Sequence, residues 1–219
     1  MTRRRASAAA SHQHQQQRGP DNRKSDRPEA AQAVREKDKH PTRVAPAGSP
    51  KTAFITIDGR RWRTSDPGIP ENLRHELVNE LMAARRAVRD GRTQLDIRRS
   101  RHRVNDAKLA LGERGDAWWL PPKPAATNLR IDAAIRALLR SRQPGRSICP
   151  SDVARIVGAA TWRTMLPVVR DRAVRMLERG DLEILRGGRV VKRNPTEGVL
   201  RYRLTARSRL VSNERRSST

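Results

Sequence analysis

The chain has 219 residues with 48 Lys+Arg against 23 Asp+Glu, a formal net charge of +25. An excess this one-sided points to polyanionic partners rather than to a balanced solvated surface. The single cysteine, Cys149, excludes an internal disulfide and a thiolate metal cluster, and no apolar run approaches the ~20 residues that cross a bilayer.

Residues 1–51 are expected to be a disordered basic arm. Up to residue 50 there is no Leu, Ile, Phe, Trp or Tyr, and 11 basic residues stand against 5 acidic ones. Such a segment buries too little apolar area to offset the entropy of ordering it. After the basic opening Met1-Thr-Arg-Arg-Arg comes His12-Gln-His-Gln-Gln-Gln rather than an apolar segment, so no secretory leader is expected and the setting reads as cytoplasmic.

A first domain is expected over 52–120. Phe54-Ile-Thr-Ile57 and Arg60-Arg-Trp-Arg63 flank Asp58-Gly59, a dipeptide suited to a tight hairpin turn. A helix follows from Glu71 to about Asp90, with Leu73, Leu77, Leu81, Ala84 and Val88 on one stripe and Gly91 as its stop. A second, from Asp96 to Leu111, carries Ile97, Val104, Ala107 and Leu111 inward and crowds Arg98, Arg99, Arg101, Arg103 and Lys108 elsewhere. The two helices are expected to pack on each other and on the hairpin. Trp118-Trp119 reads as a cap on this small core rather than a base-stacking platform.

A Pro/Ala linker is expected over 121–128, then a second domain over 129–204. Its first helix, about Asn128 to Arg142, carries Ile131, Ile135, Leu138 and Leu139. Ser147-Ile-Cys-Pro-Ser-Asp-Val-Ala-Arg opens a short helix at Pro150, with a sharp exit at Gly158. The third spans roughly Thr161–Arg179, with Trp162, Leu166, Val169, Ala173, Met176 and Leu177 on its apolar side. Pro167 inside it predicts a kink or a later start. Leu182–Leu185, a Gly187-Gly188 turn and Val199–Leu204 then predict a β-hairpin, and a flexible basic tail is expected over 205–219.

The fold class expected is therefore mainly α with short β-hairpins: an N-terminal β-hairpin and helical hairpin, then a C-terminal winged helix, a helix-turn-helix with a hairpin behind it. Residues 121–219 hold 22 basic against 8 acidic residues, so the expected partner is nucleic acid, duplex DNA first. In that geometry the third helix meets base edges or phosphates with its front end, and the wing lies on the backbone. The candidate contacts are Arg163, Thr164, Arg170 and Arg175 on the helix, with Arg189, Lys192, Arg193, Arg201 and Arg203 on the wing. A transcriptional regulator or nucleoid-associated factor is the expected role. The alternative is a protein-interaction module whose arginines are only a solvated surface.

No catalytic constellation stands out. His12, His14 and His40 lie in the arm, and no histidine follows Cys149, so neither a zinc site nor a Cys-His or Ser-His pair is expected. Neither a Gly-x-x-x-x-Gly-Lys nor a Gly-x-Gly-x-x-Gly loop occurs, and no enzyme activity or cofactor is expected.

The run Ser147-Ile-Cys-Pro-Ser-Asp-Val-Ala-Arg, then Trp162-Arg163, Met165-x-Pro167-Val-Val-Arg170 and Gly-Gly-Arg, resembles a family of small bacterial domains of unknown function. That resemblance implies a winged-helix-like fold over about 129–204. Ile57-Asp-Gly-Arg-Arg-Trp-Arg, Val104-Asn-Asp-Ala-Lys108 and Leu111-Gly-Glu-Arg-Gly-x-x-Trp-Trp119 are similar to a segment of uncharacterised actinobacterial proteins. Some of those carry a Tol-type biopolymer transporter label, which would require a membrane span that the sequence lacks.

Overall fold

The structure, a computed structural model, describes residues 50–142, 145–191, 198–205 and 208. The expected arm, apart from its last residues, and most of the expected tail lie outside those residues. The described part is mainly helical, with short antiparallel strands in two small sheets.

β1 (Phe54–Ile57) and β2 (Arg60–Arg63) pair antiparallel, Ile57 opposite Arg60. The turn works because both central residues have positive φ, 51° at Asp58 and 71° at Gly59. α1 (Glu71–Arg89) and α2 (Gln94–Ala110) follow, Thr93 capping α2 by accepting from Asp96 N–H at 3.1 Å. The hairpin does not cover their stripes: Ile55, Ile57 and Trp62 are exposed, and only Ala53 just before β1 is buried. It is tied instead to the loop after α2. Trp119 sits edge-on to Phe54 at 5.5 Å and to Trp118 at 5.0 Å, Trp118 Nε1 donates to Thr64 O at 3.2 Å, and Arg63 Nη1 to Gly115 O at 2.8 Å.

α3 (Pro124–Ser141) covers the α1–α2 stripes. It begins inside the segment expected as linker, because Pro124 at the first helical position needs no N–H partner. Ile131, Ala134, Ile135 and Leu138 meet Leu73, Leu77, Ala107 and Leu111 on one side. Together with Ile148, Val153, Val169, Ala173 and Met176 they belong to one hydrophobic cluster running from Ile69 to Leu204. Polar seams flank that cluster. Glu80 on α1, 2% exposed, takes both Arg103 Nε and Nη2 at 2.8 Å. Asp132 on α3 takes Arg172 at 3.0 and 2.6 Å. Arg142 bridges Glu76 at 2.7 Å and Asp152 at 3.2 Å.

α4 (Pro150–Gly158) leads through a single 3-10 turn, Ala159–Thr161, into α5 (Trp162–Glu178). The helix runs through Pro167, on its exposed side, where the missing N–H costs a bond to Arg163 O and the ring crowds that carbonyl. The sharp exit is not made by Gly158, which has an ordinary φ of −106°. Gly158 is small because a Cβ there would sit 2.6 Å from Met165 Cγ. The turn falls on Ala159, at φ 44°. A non-glycine residue there carries about 1 kcal/mol or more of strain, so Ala159→Gly should raise the denaturant midpoint by the equivalent of roughly 1 kcal/mol. A lowered midpoint would show that packing by the Ala159 methyl outweighs the strain.

β3 (Leu182–Arg186), β4 (Arg189–Val191) and β5 (Leu200–Leu204) form a sheet in the order β4-β3-β5. Beyond β5, Ile148 and Tyr202 exchange two backbone hydrogen bonds at 2.9 Å. Leu182, Ile184, Leu200, Tyr202 and Leu204 point inward, which closes the core under α3 and α5.

Candidate nucleic-acid interface

The apolar side of α5 turns in as its periodicity predicts: Val169, Ala173 and Met176 are buried, and Trp162, Met165, Leu166 and Leu177 half-buried. Its outer side presents Arg163, Thr164, Pro167, Val168, Asp171, Arg175 and Glu178. Two arginines against two carboxylates leave that side without net charge. Arg175 Nε lies 3.0 Å from Asp171 one turn earlier, both side chains more than half exposed. Thr164 is exposed, its hydroxyl donating back to Thr161 O at 2.8 Å.

Arg170, two turns on from Arg163, is less exposed than Arg163. It is half-buried, with Nε sealed from solvent and without a hydrogen-bond partner. Tyr202 beside it is fully buried, its hydroxyl equally unpartnered. Burial pushes the Tyr202 phenol up, against an opposing pull from Arg170.

On the sheet, Arg203 is held by Glu183 at 2.7 Å across the β3–β5 register. Arg201 is exposed and donates from Nε to Ser147 Oγ at 2.7 Å and from Nη2 to Ser147 O at 3.1 Å. Arg189 is exposed at the Gly187-Gly188 turn, paired across it with Arg186. Lys192 and Arg193 lie outside the described residues.

Carboxylates thus remove most of the basic side chains here from play. Arg130 is taken by Asp66, Arg136 and Arg140 by Asp106, Arg142 by Glu76 and Asp152, and Arg172 and Arg179 by Asp132. Among the described residues from 128 onward, seven arginines have no ion pair: Arg146, Arg155, Arg163, Arg170, Arg186, Arg189 and Arg201. Two of these gather at the front of α5. The guanidinium carbons of Arg155 and Arg163 lie 4.9 and 4.6 Å from the Trp162 ring centre, where the π face holds both cations in place. The first turn of α5 has no acidic residue to offset these cations, and the helix dipole adds positive potential at the same end. Arg186 and Arg189 stand opposite each other at the wing turn, while Arg201 lies on β5 with its guanidinium on Ser147.

Arg155 was not among the residues expected from sequence. Its exposure on α4 and its approach to Trp162 depend on how the α4–α5 turn folds. Elsewhere, Asp152 accepts from Cys149 N–H at 3.3 Å and Ser151 Oγ lies 2.9 Å from Cys149 Sγ, while His75 and His102 are exposed on α1 and α2. Among the described residues no group of three or more His, Cys, Asp or Glu is placed to hold a metal ion. No helix among them is long and apolar enough to cross a membrane.

Residues 128–205 match the model of a family described as a protein of unknown function (DUF3253), so that domain is present over this part of the chain, which is less than half of it. No curated protein matches the chain.

Proposed function

We propose that this is a cytoplasmic, non-enzymatic nucleic-acid-binding protein whose 128–205 domain works as a winged helix on duplex DNA. The element order supports the winged-helix reading. α3 and the Ile148 bridge are followed by α4 and α5, then β3 and β5, with β5 lying between β3 and Ile148. In that reading α5 is the recognition helix and the β3–β4 turn the wing.

The observation that carries the function is the distribution of unneutralised cations. Once every ion-paired arginine is set aside, four of the seven remaining lie at the two places where a winged helix meets DNA. Arg155 and Arg163 are at the front of α5 and Arg186 and Arg189 at the wing turn, with Arg201 on the neighbouring strand β5. This narrows the interface: Arg163, Arg189 and Arg201 stay in it, and Arg155 and Arg186 join them. Arg175 and Arg203 are spent on carboxylates, and Arg170 is half-buried. A neutral middle to α5 favours phosphate contacts over base readout, so binding is electrostatic, weakly selective and steeply salt-dependent. That pattern suits a nucleoid-associated factor better than a regulator of one operator.

Titrating a duplex at ~50 and ~200 mM salt tests the proposal. Binding at the lower concentration that weakens by orders of magnitude at the higher is expected. Absence of binding at ~50 mM salt would overturn it.

A further inference from the structure

A second group of unneutralised cations lies outside the matched domain, at the joined ends of α1 and α2. The ion pair between Glu80 and Arg103 fixes the register of this antiparallel pair. Counting outward from it in equal steps places Arg85 level with Arg98, and Met82 level with Arg101. Arg86 lies one residue beyond Arg85, and Arg92 lies in the connecting loop.

Arg85, Arg86, Arg92, Arg98 and Arg101 are all exposed and have no ion pair among the described residues. The carboxylates nearest in sequence do not offset them. Asp90 is held by Arg89 at 2.9 Å. Asp96 and Arg99 each have interactions of their own and are not counted in the patch. Elsewhere in the helical pair the carboxylates are drawn inward: Glu80 to Arg103, Asp106 to Arg136 and Arg140, Glu76 to Arg142. The fold thus takes Glu76, Glu80 and Asp106 into the α1–α2–α3 seams, and at the joined end of the hairpin only Asp90 and Asp96 stand among these arginines.

Helix rise and interhelix spacing spread these five backbone positions over more than about 10 Å along the hairpin and about 10 Å across it. Exposed arginines without a carboxylate partner are suited to successive phosphates of one strand. The patch offers arginines with little else to read base edges, so its chemistry is phosphate contact without sequence readout.

We propose that the α1–α2 tip is a second nucleic-acid contact surface, which grips the phosphate backbone while the 128–205 domain holds its own site. This rests on the nucleic-acid reading above, and the test separates the two. Duplex affinity is measured from ~50 to ~200 mM salt for the full chain and for a variant with Arg85, Arg86, Arg98 and Arg101 changed to Ala. Alanine is the better helix former, so the helices persist, and an unchanged melting temperature verifies this. A second variant with the same four positions changed to Lys keeps the charge.

The Ala variant should bind more weakly at ~50 mM salt. Its slope of log affinity against log salt should be shallower by roughly 2 to 4, so that the same fourfold rise in salt costs it about 16- to 250-fold less affinity than it costs the unaltered chain. The Lys variant should keep the original slope. If the unaltered chain binds and the Ala variant keeps its affinity and slope, the tip is only a solvated surface and the inference falls alone. If the unaltered chain binds no duplex at ~50 mM salt, both readings fall together. A slope lost equally in the Lys variant would assign the effect to guanidinium packing and overturn the phosphate assignment.

Discussion

Changing Asp106 to alanine should cost about 3–5 kcal/mol of stability, the effect of leaving buried charges without their partner. Asp106 is 6% exposed and takes three bonds from α3: Arg136 Nε at 3.0 Å, Arg136 Nη2 at 2.8 Å and Arg140 Nη1 at 2.7 Å. Without it, two guanidinium groups on successive turns of α3 are left side by side in the α2–α3 seam without the carboxylate that held them. Arg140 is the more exposed to this loss, because its Nε is already buried without a partner. Domains are stable by only about 5–15 kcal/mol, so urea denaturation of Asp106→Ala should show a midpoint far below the original. Arg175→Ala makes the contrast: its pair with Asp171 has side chains 59% and 60% exposed, and such pairs contribute at most about 1 kcal/mol.

The same site sets an acid limit. Arg136 and Arg140 together hold the Asp106 carboxyl below its ordinary range, against the opposing effect of burial. A carboxylate with a depressed folded-state pKa contributes its full stability above the unfolded-state value of about 4 and loses it as pH falls through the lower folded value. The midpoint difference between the original chain and Asp106→Ala should therefore be constant near neutrality and shrink below about pH 4. A difference under about 1 kcal/mol at pH 7 would mean that solvent replaces the carboxylate there.

What the sequence shows and what it hides divide by range. The β1–β2 hairpin, α1, α2, α5 and the strands stand close to where periodicity and turn chemistry put them, because those signals act over a few residues. The Asp171–Arg175 pair was equally within reach, since carboxylate and arginine four residues apart on a helix face each other. Long-range pairings were not. That Glu183 neutralises Arg203 depends on strand register, and that Asp132 takes Arg172 depends on how α3 crosses α5. The start of α3 was hidden for a related cause. Pro121 to Thr127 looks like a linker by composition, yet Pro124 starts a helix whose two sides feed one continuous core. Gly158 shows the limit at a single residue: its small size serves Met165, while the positive φ sits on Ala159, where sequence preference argues against it.

Opposite shifts in affinity should come from removing free cations and from releasing a paired one. Changing Arg155, Arg163, Arg189 and Arg201 to Ala together removes four exposed charges from the proposed interface, and duplex affinity at ~50 mM salt should fall on the order of 100-fold or more. None of the four is in an ion pair among the described residues, so the melting temperature should stay within a few degrees of the original. Asp171→Asn does the reverse. It keeps the shape of the side chain, deletes one repulsive charge from the outer side of α5 and leaves Arg175 with no carboxylate partner. Affinity should rise a few-fold, and the rise should fade as salt screens it. A protein partner bound through the exposed Pro167 and Val168 would respond differently: the fourfold change would matter little, and the Asp171 change would not track salt. Gel-shift or anisotropy titrations of both variants on one duplex, at two salt concentrations, therefore decide between them. If the fourfold variant binds as tightly as the original chain, the front of α5 and the wing do not meet phosphate, and their arginines serve only to keep the domain in solution.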